Sequence, residues 1–102
     1  MRHLKNIHPG EVLKEEFLDP MGISVYRLSK ETGLSQTRLG QIIKGKRSVS
    51  AETAVKLGKF FGVAAEFWMN LQSLYDLEEV KKHHRKEIES IHPLKELKRA
   101  IA

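Results

Sequence analysis

The sequence predicts an all-α fold of five helices with a C-terminal helical extension. Three observations carry this prediction. Alternation of the strand type is nearly absent, apolar residues recur at spacings of three and four, and serines and glycines divide the chain at helix-length intervals. A chain of 102 residues is one domain, long enough to bury a core.

Pro9 suits the first position of a helix, where its missing N–H is no loss. Val12, Leu13 and Phe17 form the apolar side, and Asp19-Pro20-Met21-Gly22 is expected to end this helix as a turn. Ser24 can cap a second helix to about Thr32, with Val25 and Leu28 inward and Gly33 as a left-handed stop. Ser35 caps a third from Gln36 to about Lys44, closed by Gly45. Ser50 caps a fourth with Ala54, Leu57, Phe60 and Phe61 on its buried stripe, ended by Gly62. The fifth begins near Ala65 and carries Phe67, Trp68, Leu71, Leu74 and Tyr75. The same phase runs on through Leu77, Val80, His84, Ile88 and Ile91, with a break expected near Asp76 and no easy continuation past Pro93. Leu94 to Ala102 reads as a last turn or a fraying end. Residues 1–76 thus make the helix-bearing domain, and residues 77–102 are a helical extension that is part of it or a dimer or partner contact.

Composition narrows the function. A formal charge of +5 favours an anionic partner, and the absence of cysteine excludes disulfides, thiol catalysis and cysteine-ligated zinc. The N-terminal MRHLKNIHPGEV lacks the apolar run of a secretory signal, and no window approaches the ~20 apolar residues of a membrane span, so a cytoplasmic protein is expected. No catalytic motif is present: no Gly-x-Ser-x-Gly, no phosphate-cradling loop, no paired carboxylates. The chain reads as a non-enzyme without cofactor or metal.

Charge placement is sharper than charge total. From Thr32 through Ala51 there is no acidic residue, while Arg38, Lys44, Lys46 and Arg47 are cationic. Such a surface can lie against phosphates without self-repulsion. Two short helices joined by a Gly-containing turn are also the unit that sets a recognition helix in the DNA major groove. A helix from Gln36 to Lys44 advances about 100° per residue, which puts Leu39, Ile42 and Ile43 on the core face. Thr37, Gln41 and Lys44 fall opposite, Arg38 and Gly40 on the flanks, and Gln36 at the tip. Gln can pair with adenine N6 and N7, Arg with guanine O6 and N7, and a Thr methyl can meet a thymine methyl. Gln36, Thr37, Arg38 and Gln41 are therefore the candidate base readers. Lys44, Lys46, Arg47 and Ser48, with the backbone N–H near Val25, are candidate phosphate contacts. Gly40 signals either close approach of DNA or plain tolerance of glycine. A solvated polar helix face is the alternative to all of this.

The spacing Leu28-Ser29, Gly33-Leu34-Ser35, Leu39, Ile42 and Gly45-Lys46 resembles the phage-repressor-like helix-turn-helix family. IHPGEVLKEEFLDPMGIS before it and FFGVAAEFWMNLQSLYDLE after it resemble the HigA-type, or VapI-like, antitoxins, with Ala65 and Met69 as departures from the usual Pro and Leu. The resemblance extends from Ile7 to Glu79. It implies a repressor-like helix-turn-helix domain with its motif at about 24–45 and an extended C-terminal helix. It also implies a homodimer that binds a palindromic double-stranded DNA operator, represses its own operon and neutralises a RelE-like (HigB-type) mRNA endonuclease. Stand-alone regulators belong to such families too, and a protein-interaction module that has lost DNA binding is a third reading.

Other constellations have plainer readings. Phe67, Trp68, Leu71, Leu74 and Tyr75 at helical spacing are core, with part of the stripe as candidate dimer interface. Among His83, His84, Glu87 and His92, the pair His83 and Glu87 is spaced i,i+4, but no third ligand is fixed and the run is strongly cationic, so a solvated or partner-facing helix surface is the better reading. The basic run Lys81 to Lys86 is bracketed by glutamates and reads as an exposed mixed-charge helix.

Overall fold

In the computed structural model, which describes residues 5–95, helices begin where local capping chemistry allows. At His8 the imidazole Nδ1 accepts the Gly10 N–H at 2.9 Å, and the His8 N–H donates to the Glu11 carboxylate at 3.4 Å. That reciprocal cap starts α1, residues 9–21, which is α-helical over Pro9–Val12 and Asp19–Met21 and widens to a π-helix over Leu13–Leu18. The expected turn at residues 19–22 is therefore a correction: the helix runs through Met21 and stops at Gly22. The Asp19 N–H reaches back five residues to the Lys14 carbonyl. This wider turn makes room for Pro20, whose ring would crowd the carbonyl four residues before it in a regular α-helix.

Serines cap the next helices. Ser24, Ser35 and Ser50 accept the N–H groups of Arg27, Arg38 and Thr53 and open α2 (Val25–Thr32), α3 (Gln36–Ile43) and α4 (Ala51–Phe61). Gly33 and Gly62 end α2 and α4 as expected. Helix α5 (Ala65–His83) passes Asp76 without the expected break. The Gln72 amide donates to the Asp76 carboxylate at 2.9 Å, an i,i+4 link that continues the helix there. The backbone yields instead at His84, where φ is −122°, and α6 (Arg85–Glu89) follows. The tail expected to turn or fray lies, from residue 96 onward, outside the described residues, as do residues 1–4.

Helix α1 packs on α3 and α5, α2 on α3 and α4, and α4 on α5. Between them lie Leu13 and Leu18 of α1, Leu28, Leu34, Leu39, Ile42, Val49, Ala54, Leu57 and Trp68, all buried. Ile43, Phe60 and Phe61 pack against this core half-buried rather than within it. Trp68 is wholly inaccessible, 5.0 Å from the Phe17 ring and 5.1 Å from that of Phe67. It is corrected from candidate interface to protomer core, because α5 turns it toward α1 while Phe67 stays at the rim.

Candidate nucleic-acid interface

The buried pair Leu39 and Ile42 holds one side of α3 in the core, which leaves the opposite side to solvent. Gln36, Thr37, Gln41 and Lys44 are exposed there. A Cβ at Gly40 would meet no heavy atom within 4 Å, so nothing inside the protomer requires glycine at that position. Arg38 is half-buried on the flank, and its guanidinium lies 3.5 Å from the Glu52 carboxylate on the first turn of α4. The acid-free stretch thus ends one residue before a carboxylate that reaches back over it. Glu52 also pairs with Lys56 at 2.9 Å; the Lys56 hydrogen bond first, and Arg38 after it, hold its carboxyl below the usual range.

The end of α3 closes in a Schellman turn. The Lys46 N–H donates to the Gln41 carbonyl at 2.8 Å and the Gly45 N–H to that of Ile42 at 2.9 Å, with Gly45 at φ 75°. The chain is thereby folded back along α3, and the Arg47 guanidinium donates to Gln41 Oε1 at 2.9 Å. Lys46, Arg47 and Ser48 are exposed. Val49 then dives into the core, its N–H donating to Gln72 Oε1 of α5 at 2.8 Å. At the start of α2 the Ser24 hydroxyl takes the Arg27 N–H, leaving the Val25 N–H at the positive end of the helix.

His8 supports this region from behind. Its ring lies 3.8 Å from where a Gly45 Cβ would stand and 4.8 Å from the Tyr75 ring, edge-on. Burial pushes its pKa below the ordinary value, against smaller opposing pulls from Glu11 and Asp76. The neutral form is the one that can accept the Gly10 N–H.

Glu52 and Gln72 escaped the sequence reading. Gln72 had a signal: it stands four residues after Trp68, on the core face of α5, where an amide must find partners. Glu52 had none, because its link to Arg38 depends on how α3 meets α4.

Among the other candidate surface residues, Leu74 is 62% exposed and Phe67 37%, while Leu71 and Tyr75 are half-buried. Leu77 and Val80 continue the exposed apolar side of α5. His83 pairs with Glu79 and His84 with Glu87, and among the described residues no three metal-ligating side chains converge. None of the described helices is long and apolar enough to cross a membrane.

Comparison with known proteins agrees with this arrangement. The helix-turn-helix family model matches residues 13–68. Virulence-associated protein I of Dichelobacter nodosus is 45% identical over 71 residues, 70% of this chain and 66% of that protein. Antitoxin HigA-1 of Vibrio cholerae is 35% identical over 85 residues, 83% of this chain and 80% of the antitoxin. In three dimensions the chain is similar to the Pseudomonas aeruginosa antitoxin HigA solved with the higBA promoter. The TM-score is 0.84 at 40% identity, over 88% of this chain and 99% of that one. Two of these relatives are named as antitoxins, and none is named as an enzyme. The chain belongs to the helix-turn-helix family that includes the HigA antitoxins and virulence-associated protein I.

Proposed function

We propose that this protein is an operator-binding antitoxin of HigA type. It acts in the cytoplasm as a homodimer, represses its own operon and neutralises a RelE-like mRNA endonuclease. The observation that carries the DNA half is the division of α3: Leu39 and Ile42 sealed in the core, Gln36, Thr37 and Gln41 exposed opposite, and the cationic Lys44–Arg47 segment at its end. In this reading the first three side chains and Arg38 meet base edges, and Lys44, Lys46, Arg47, Ser48 and the Val25 N–H meet phosphates. The promoter-bound structure of a relative with the same fold supports it. The proposed dimer contact lies on α5 at exposed Phe67 and Leu74 with half-buried Leu71 and Tyr75 beside them, and its two recognition helices would meet half-sites about 34 Å apart.

The toxin half is supported by kinship with the HigA antitoxins. Expression of the chain with its neighbouring genes, followed by purification and gel-shift on the DNA upstream of its own gene, tests both halves. A sequence-specific shift with a co-eluting small basic protein is expected. A shift without that protein leaves a stand-alone regulator, and no specific shift at moderate salt leaves a protein-interaction module.

A further inference from the structure

The link between Arg47 and Gln41 fixes which end of the Gln41 amide faces the loop. Arginine has only donors, so the amide atom facing it must be Oε1, and the Gln41 Nε2 is left with both its N–H groups to offer. The link is built on a fixed backbone. The Schellman turn at Gly45 ties Lys46 to the Gln41 carbonyl, His8 packs behind Gly45, and Gln72 anchors Val49 two residues beyond Arg47. Arg47 is therefore suspended between two anchored points beside the helix face that Gln41 occupies. A free glutamine matches adenine, because it accepts the N6 proton at Oε1 while donating to N7. A glutamine whose oxygen already accepts from a guanidinium keeps one lone pair there while both N–H groups stay free, so its open donors outnumber its open acceptor sites. Guanine answers that with two acceptors, N7 and O6.

We propose that Arg47 is a positioning residue that turns Gln41 into a reader of guanine rather than adenine; this rests on the DNA-binding role proposed above. It replaces the adenine pairing that the type of side chain alone would predict for Gln41. It gives Arg47 a role beyond the phosphate contact it shares with Lys46, whose contribution to DNA binding is charge alone.

The test is selection from a randomised palindromic DNA library by the full chain, Gln41→Ala and Arg47→Ala, with thermal melting as a control for folding. The expected result is one position per half-site at which the parent chain selects guanine and Gln41→Ala loses the preference. Arg47→Ala should move that same position, and no other, toward adenine, with the guanine-to-adenine ratio falling on the order of tenfold. Two results overturn the proposal. One is selection of adenine at the Gln41 position by the parent chain. The other is an Arg47→Ala chain that keeps guanine while weakening on all sequences alike and losing about one unit of salt slope, the behaviour of a plain phosphate contact. Failure of the parent chain to select any sequence would bring down the DNA-binding role itself, and this inference with it.

Discussion

Gly10 of α1 lies so close to Ile42 of α3 that a Cβ at Gly10 would collide with the Ile42 carbonyl oxygen and stand 2.9 Å from the Ile43 Cα. The start of the first helix is thus seated on the end of α3, backbone against backbone. Neither partner atom is the tip of a flexible side chain, so the contact cannot relax locally. Gly10→Ala should destabilise the fold by about 1–3 kcal/mol, the range of overpacked cores. Chemical denaturation will show this as a lower midpoint at an unchanged slope, and an unshifted midpoint would mean that α1 slides freely over α3.

Gly40 is the opposite case. It stands on the exposed side of α3 with nothing within 4 Å of a built Cβ. Gly40→Ala should therefore stabilise the protein by about 0.5–1 kcal/mol, as glycine removal from a helix interior does. If DNA approaches this face as proposed, the same substitution weakens operator binding. Stability and affinity moving in opposite directions would mark Gly40 as kept for the groove. Unchanged affinity would leave it as a tolerated glycine.

What could be read in the sequence and what could not follows from the range of the forces involved. Ser24, Ser35 and Ser50 and the glycines at 33 and 62 mark helix ends through bonds spanning three or four residues, so they were legible one helix at a time. The core side of α3 was legible for the same reason, because Leu39 and Ile42 are a helical repeat apart. Pro20 misled: a proline commonly stops a helix, and only the π-turn before it lets this one continue. The break expected at Asp76 failed because Gln72, whose other end holds Val49, makes that stretch a fixed point. The contacts Arg38–Glu52 and Gly10–Ile42 join elements whose meeting no periodicity encodes.

His8 should make stability depend on mildly acidic pH. Its pKa is lowered in the folded protein by burial, so the unfolded chain binds the proton more readily. Stability then rises with pH across the interval between the folded value and the ordinary 6.5, is complete above 6.5, and is lost as pH falls through that interval. His8→Asn keeps an N-cap acceptor and removes the titration. Denaturation midpoints from about pH 5 to pH 7 should slope less for the variant than for the parent. Glu11 does not confuse the result. Its carboxyl, lowered first by the Lys5 hydrogen bond, acts below the ordinary carboxylate value of 4.5. Equal slopes would remove His8 as the cause.

Trp68 and Leu74 sit less than two turns apart on α5 and should fail in different ways. Trp68→Ala empties the centre of the aromatic cluster with Phe17 and Phe61 and should cost about 3–5 kcal/mol. Leu74 projects into solvent at 62% exposure, so Leu74→Glu should leave the protomer folded and shift sedimentation from dimer to monomer. A parent chain that sediments as a monomer, or a Leu74→Glu chain that stays dimeric, would remove this side of α5 from the proposed interface.

Glu52 draws one edge of the Arg38 guanidinium toward α4, so turning its fork fully to a guanine edge works against that pull. In the free protein the carboxylate lies 3.5 Å away, and it is itself 59% exposed beside the proposed DNA surface. It competes with the base for Arg38 and repels the phosphates that approach α3. Glu52→Gln keeps an acceptor beside Arg38 and removes the charge, so it should tighten DNA binding a few-fold, most at low salt. The gain has two sources that a second background separates. In an Arg38→Ala chain the repulsion is still relieved, but no guanidinium is released. A smaller gain there than in the parent chain is expected, and equal gains would show that Glu52 acts on the DNA alone and leaves Arg38 untouched.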